Sequence, residues 1–240
     1  MAATVNHIRL CEARRAMRAL LEDPDDTAQA FKVIAAMTGS SGKRLFERFR
    51  RSPMGTRILR EERDLLEVMG DMDRLRAMPS GSLGQSIADF YATEQLSAQG
   101  LVAASEAGFA DRVQAETGEE ERIFRMRLRD LHDVFHVLAG YGRDLRGETA
   151  VLAFTLAQTR NPGIAYIVLS VLMRAGFRSE LGKLVRQGFR RGLRAKWLLD
   201  QDWEALLPQP IDELRGWLRV GPPPVYEQIR SAGAPVPRSL

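Results

Sequence analysis

Apolar residues recur along this chain at intervals of three and four and almost nowhere alternate with period two, so the pattern predicts helices throughout. Val5, Ile8, Leu10, Met17, Leu20 and Leu21 mark one face of a helix over residues 5–22. Glu22-Asp23-Pro24-Asp25-Asp26-Thr27 stops it and starts another, because proline and acids suit a first helical turn. That second helix carries Ala30, Phe31, Val33, Ile34 and Met37 and ends at Gly39-Ser40-Ser41-Gly42. Residues 43–51 are basic and amphipathic, with Leu45, Phe46 and Phe49 on one side, and Ser52-Pro53-Met54-Gly55 breaks the pattern. Helical spacing resumes over 56–66 and again over 83–96, after the turn Met78-Pro79-Ser80-Gly81-Ser82. Residues 97–118 lose the period and read as a loop with a short helix around 101–107.

The second half is more regular. Residues 119–138 contain neither Pro nor Gly, and Ile123, Met126, Leu131, Phe135 and Leu138 recur at helical spacing. Gly140-Tyr141-Gly142 breaks this helix, Gly147-Glu148 opens the next, and Asn161-Pro162-Gly163 ends that one after Gln158. A connection this short predicts an antiparallel hairpin. An apolar run over 164–173 leads into the basic stretch 174–196, where Leu181, Leu184, Val185, Phe189, Leu193 and Trp197 supply the apolar positions. Pro208-Gln209-Pro210, a short helix over 211–218 and Gly221-Pro222-Pro223-Pro224 close the chain, the last as an extended, proline-stiffened segment. The expected fold is all-α: a single-domain helical bundle over 1–226, with a central antiparallel helix hairpin and a flexible tail over 227–240.

Composition narrows the class. With 240 residues, 45% of them hydrophobic and 28% charged, the chain is that of an ordinary globular domain with ample core. Its one cysteine, Cys11, allows no disulfide within the chain and suits a reducing compartment. The start lacks the apolar stretch of a secretory signal. The longest apolar run, 164–173, is half of the ~20 residues a membrane span needs, so the expectation is a soluble or peripheral protein. The net charge of +4 is mild. Its positive part concentrates in Arg174, Arg178, Lys183, Arg186, Arg190, Arg191, Arg194 and Lys196, with Glu180 the only acid between them. A solvated helix face is the commonest source of such a run. Docking on an anionic membrane surface fits better than nucleic-acid binding, for which no motif is present. The Gly-Ser pairs lack the G-K-[ST] that a phosphate-binding loop requires.

Candidate chemistry gathers in one stretch. Two of the three histidines, His132 and His136, stand four apart, which places both imidazoles on one helix face. Asp133 lies on the same broad arc, and the hairpin returns Glu148 toward it. Two imidazoles with one or two carboxylates form a ligand set for a divalent cation. Alternatively Asp133 orients an imidazole without binding the ion, and Glu148 is a first-turn acid favoured by the helix dipole. His7 has no partner nearby and reads as structural. A phosphohydrolase built on a His-Asp pair needs a further upstream histidine, which only His7 could supply.

These residues, His132-Asp133-x-x-His136 and then Glu148 after eleven more, resemble the signature of the coenzyme Q (ubiquinone) biosynthesis protein 4 family. The resemblance continues in residues 52–59 (SPMGTRIL), 78–84 (MPSGSLG), 147–159 (GETAVLAFTLAQT) and 202–207 (DWEALL), followed by Pro210, the 211–218 helix and Pro222-Pro223. It covers most of the chain from about Leu20 to Tyr226. Ile87 and Leu128 stand where the family carries aromatics, and Gly142-Arg143-Asp144 replaces a common Pro-Thr-Asn, which suggests a diverged, bacterial-type member.

The resemblance implies an all-helical, membrane-peripheral protein with His132, Asp133, His136 and Glu148 as metal ligands. Zinc is the foremost ion, with iron or magnesium as alternatives. The implied activity is (oxidative) C1 decarboxylation of a polyprenylated 4-hydroxybenzoate-type precursor, a carboxy-lyase reaction, with a non-catalytic lipid-binding scaffold as the alternative. Arg127 and Arg129 match family arginines and are the candidates to meet a substrate carboxylate, exposed helix arginines being the commoner case. The polyprenyl tail is expected among residues of the 83–96 helix and the 164–173 run. Expected partners are the quinone precursor, other ubiquinone-biosynthesis enzymes and a membrane surface, with a homodimer allowed and no nucleic acid. The expected location is cytoplasmic, on the inner face of the cell membrane, or the matrix side of the mitochondrial inner membrane in a eukaryote.

Overall fold

A computed structural model of the chain describes residues 7–95 and 118–230; the short helix expected around 101–107 and all of the expected 97–118 loop but Gly118 lie outside the described residues. Among the described residues thirteen helices follow one another: α1 (Leu10–Glu22), α2 (Thr27–Met37), α3 (Ser41–Arg51), α4 (Pro53–Arg60), α5 (Leu65–Gly70), α6 (Met72–Arg76), α7 (Leu83–Thr93), α8 (Glu119–Ala139), α9 (Leu145–Thr159), α10 (Pro162–Ala175), α11 (Glu180–Arg194), α12 (Trp203–Leu206) and α13 (Ile211–Trp217). No strand forms among the described residues; a lone bridge pairs Ser82 with Pro210.

The long α8 is the axis of the main core. It buries Ile123, Phe124, Leu131, Val134, Phe135 and Leu138, and shares that cluster with Phe49, Ile58, Leu83, Ile87, Tyr91, Phe154 and Trp203. Phe124 meets Phe49 and Phe46 at ring-centroid distances of 4.8 and 5.7 Å. Two smaller clusters lie beyond α9: Ala153, Ile164, Val168, Leu172 and Val185 form one, and Ala16, Met17, Val33 and Ile167 the other.

The connection between α8 and α9 is short, but α9 packs most extensively on α11 rather than on α8, where a central hairpin was expected. Glycines on α11 decide this. A Cβ on Gly188 would lie 2.5 Å from the Ala150 carbonyl, and one on Gly192 equally close to that of Phe154. The inward face of α11 is therefore Leu184, Val185, Gly188, Arg191 and Gly192, while Phe189 and Leu193 face outward. Arg191, one of the basic run, is buried. Its guanidinium donates to the carbonyls of Ala139, Val220, Gly221 and Pro222 and so fastens the proline-rich segment across the end of α8. The tail expected to be flexible from 227 onward is held as far as it is described. Leu145 N–H donates to the Ile229 carbonyl, and Arg230 pairs with both oxygens of Glu94 at 2.7 and 2.8 Å.

Candidate metal centre

The turn between α8 and α9 builds the site. Gly140 caps α8 in the left-handed region (φ 72°), where its amide closes on the His136 carbonyl. Asp144 caps α9: its carboxylate accepts from the amides of Arg146 (3.0 Å), Gly147 (3.2 Å) and Ile229 (3.2 Å) and from the Tyr226 hydroxyl (2.7 Å). Gly147 lets the turn fold back tightly, since a Cβ there would lie 2.1 Å from the Gly142 carbonyl. Glu148 follows in the first turn of α9 and comes back against the last two turns of α8.

Three side chains converge. His132 Nε2 and His136 Nε2 are 3.1 Å apart, and Glu148 Oε2 lies 3.5 Å from the first and 3.3 Å from the second. In a tetrahedral centre with bonds of about 2.0–2.1 Å, neighbouring ligand atoms are about 3.4 Å apart, so this triangle has the size of one face of such a centre. His136 is fully buried and donates from Nδ1 to the Tyr141 carbonyl at 2.9 Å, which leaves the Nε2 lone pair aimed at the cluster. The Phe90 ring stacks on its imidazole at 5.5 Å and 23°. The other oxygen of Glu148 accepts from Arg143 Nε at 3.2 Å. Burial opposes charge on His136, yet Glu148, the Tyr141 carbonyl and Asp133 together raise its pKa above the ordinary histidine value. Burial likewise pushes Glu148 up, but His136 and His132 outweigh it and hold the carboxyl well below the usual range.

The fourth expected ligand is elsewhere. Asp133 is buried, and its Oδ2 accepts from the Tyr91 hydroxyl of α7 at 2.9 Å. It is not among the donor atoms that converge. Asp133 stands about 100° around α8 from His132 and about 60° from His136, enough to turn its carboxylate toward α7 instead of α9. Arg127 is also spent elsewhere: it pairs with both oxygens of Glu204 at 2.6 and 3.0 Å and donates to the Gln201 carbonyl. A substrate carboxylate there would have to displace Glu204. Arg129 differs. One turn before His132 and Asp133, it bonds Asp130 through Nε at 2.7 Å and keeps a buried terminal nitrogen with no partner. Burial pushes the Asp130 carboxyl up to about 6.

The two stretches expected to receive a polyprenyl tail belong to different parts of the core. The buried residues of α7 belong to the main core, those of α10 to the two smaller clusters. Sequence reasoning also passed over Tyr91, Phe90 and Arg143. The signal for Arg143 was its place in the departing Gly142-Arg143-Asp144 turn; nothing in the local pattern sets Tyr91 or Phe90 apart.

Fold and site together define a class: an all-helical scaffold that closes two imidazoles and a carboxylate across one helix turn, a set suited to a divalent cation. The model of the family coenzyme Q (ubiquinone) biosynthesis protein Coq4 matches residues 9–224, and the chain belongs to that family. Similar proteins include the mitochondrial ubiquinone biosynthesis protein coq4 of Aspergillus flavus, 29% identical over 74% of this chain and 60% of its own length. That of Talaromyces stipitatus is 30% identical over 75% of this chain and 60% of its own length. The matched segment thus spans about three fifths of these relatives. A crystal structure from Nostoc punctiforme, of a protein provisionally named for ubiquinone biosynthesis, shares the fold with a TM-score of 0.62 at 20% identity, covering 90% of this chain and 100% of the other. No helix among the described residues is long and apolar enough to cross a membrane.

Proposed function

We propose that the chain is a metal-dependent carboxy-lyase of ubiquinone biosynthesis that removes the ring C1 carboxyl group of a polyprenylated 4-hydroxybenzoate-type precursor at a membrane surface. The observation that carries the reading is the triangle of His132 Nε2, His136 Nε2 and Glu148 Oε2 with edges of 3.1–3.5 Å. These three residues would hold a divalent cation, zinc before iron or magnesium, with a position left for substrate. When bound, the cation supplies Lewis-acid stabilisation of negative charge on the substrate's oxygen atoms. The rest falls to the chain. The Tyr141 carbonyl and the Phe90 ring fix the tautomer and plane of His136, and Arg143 fixes Glu148. Arg129 offers a buried, unpartnered N–H to a carboxylate.

Two features support work at a membrane. The outer face of α11 presents Arg186, Phe189, Arg190 and Leu193 in one stripe, and beside it α10 exposes Leu169 and Met173, with Phe177 just after. Exposed apolar side chains between arginines suit an anionic lipid surface. The polyprenyl chain and the other biosynthetic enzymes are the partners this location implies. A lipid-presenting scaffold with a structural cation is the second reading, favoured by the way the cluster ties α9 to the end of α8.

Release of labelled CO2 from a C1-carboxyl-labelled precursor tests the assignment. His132→Ala, altering the more exposed imidazole, should abolish release while the circular dichroism spectrum and partner binding persist. Loss of fold together with release would favour the scaffold.

A further inference from the structure

We infer that Asp133 is a positioning residue that acts through Tyr91 on the His136 imidazole and does not itself bind the cation. The inference rests on the reading of His132, His136 and Glu148 as a metal centre. Asp133 and Tyr91 are both buried, at 6% and 1% exposure, and their contact is a phenol O–H donating to a carboxylate at 2.9 Å. A buried carboxylate needs such a donor, and Tyr91 supplies one from a different helix. The bond therefore fixes the rotation of α7 against α8 at one point. The residue before Tyr91 is Phe90, whose ring stacks on the His136 imidazole at 5.5 Å.

Asp133 thus holds Tyr91, Tyr91 holds the register of Phe90, and Phe90 covers one face of the ring whose other nitrogen is bonded to the Tyr141 carbonyl. Two constraints from two segments, the Phe90 ring and the Tyr141 carbonyl, thus converge on one imidazole, the arrangement that orients a ligand before an ion arrives. Ligation through Oδ2, the oxygen that accepts from Tyr91, would cost that hydroxyl its acceptor inside the core.

Cobalt(II) titration of metal-free protein separates the two roles, since both affinity and the visible d–d bands are read from one sample. Asp133→Asn keeps an oxygen that accepts from Tyr91 but is a poor ligand. It should bind cobalt within about threefold of wild type with unchanged bands. Tyr91→Phe removes only a hydroxyl, and Asp133→Ala the acceptor. Both should weaken binding by about tenfold or more, the size usual for residues that support a ligand, and both should perturb the bands. Thermal melts of the metal-free variants show whether each retains its fold.

Loss of cobalt binding in Asp133→Asn, or unchanged affinity and bands in Tyr91→Phe, overturns the inference. Failure of the wild-type chain to take up cobalt would instead remove the metal-centre reading, and this inference with it.

Discussion

Removing the Glu204 carboxylate should destabilise the fold heavily although Glu204 sits on α12, a helix of four residues. Its oxygens lie 2.6 and 3.0 Å from the Arg127 guanidinium, whose side chain is 1% exposed, while that of Glu204 is 17% exposed. Glu204→Ala leaves a buried cation with only the Gln201 carbonyl as acceptor. Breaking a buried pair from one side costs about 3–5 kcal/mol, and the partial exposure of Glu204 places this case near about 3. For a chain of this size that lowers the melting temperature by about 6–12 °C.

The pH dependence is fixed in sign. Burial pushes the Glu204 carboxyl up, but its hydrogen bond and attraction to Arg127, helped by Arg63, hold it below the ordinary value. A depressed folded pKa contributes stability that is present above the unfolded value of about 4.3 and lost as pH falls through the folded one. Thermal melts of wild type and Glu204→Ala should therefore differ most near neutrality and converge in acid. The double variant Arg127→Met/Glu204→Leu should regain much of the loss, because it leaves no uncompensated charge. A single variant within 1 kcal/mol of wild type at neutral pH, or a gap that persists unchanged into acid, would refute the assignment of Arg127 to the fold and return it to the list of substrate ligands.

Two further outcomes follow from the packing and from the surface of α11. Gly188→Val sets a branched side chain against the Ala150 carbonyl, where even a Cβ would lie at 2.5 Å; overpacking should cost about 1–3 kcal/mol, read as a lower urea midpoint, and an unchanged midpoint would mean that α11 does not approach α9 so closely. Phe189→Glu/Leu193→Glu should abolish sedimentation with vesicles containing anionic phospholipid, and wild-type binding should weaken with salt; equal binding by the variant would move the docking face elsewhere.

What could be read from the residues divides along physical lines. Helices were legible because three- and four-residue spacing is local, and α8, α9 and α10 carry the strongest stop signals in Gly140 and Pro162. The convergence of His132, His136 and Glu148 was legible for the same reason: i, i+4 spacing and a short turn are both local facts. Partners distant in sequence were not. Arg127 and Glu204 are 77 residues apart, Tyr91 and Asp133 are 42. Nothing near either end announces the other, so Arg127 read as a substrate-binding arginine and Asp133 as a ligand. The inward face of α11 was misjudged because apolar residues were counted and glycines were not. Phe189 and Leu193 look like core, yet Gly188 and Gly192 bring the opposite side of the helix against α9.

Elemental analysis of the purified chain reaches the proposed centre of His132, His136 and Glu148 most directly. The wild-type protein should carry about one divalent ion per chain, and His136→Ala and Glu148→Ala should each retain less than about a tenth of that while remaining folded. A metal-free wild type that cannot be loaded, or variants that hold the ion as well as wild type, would contradict it.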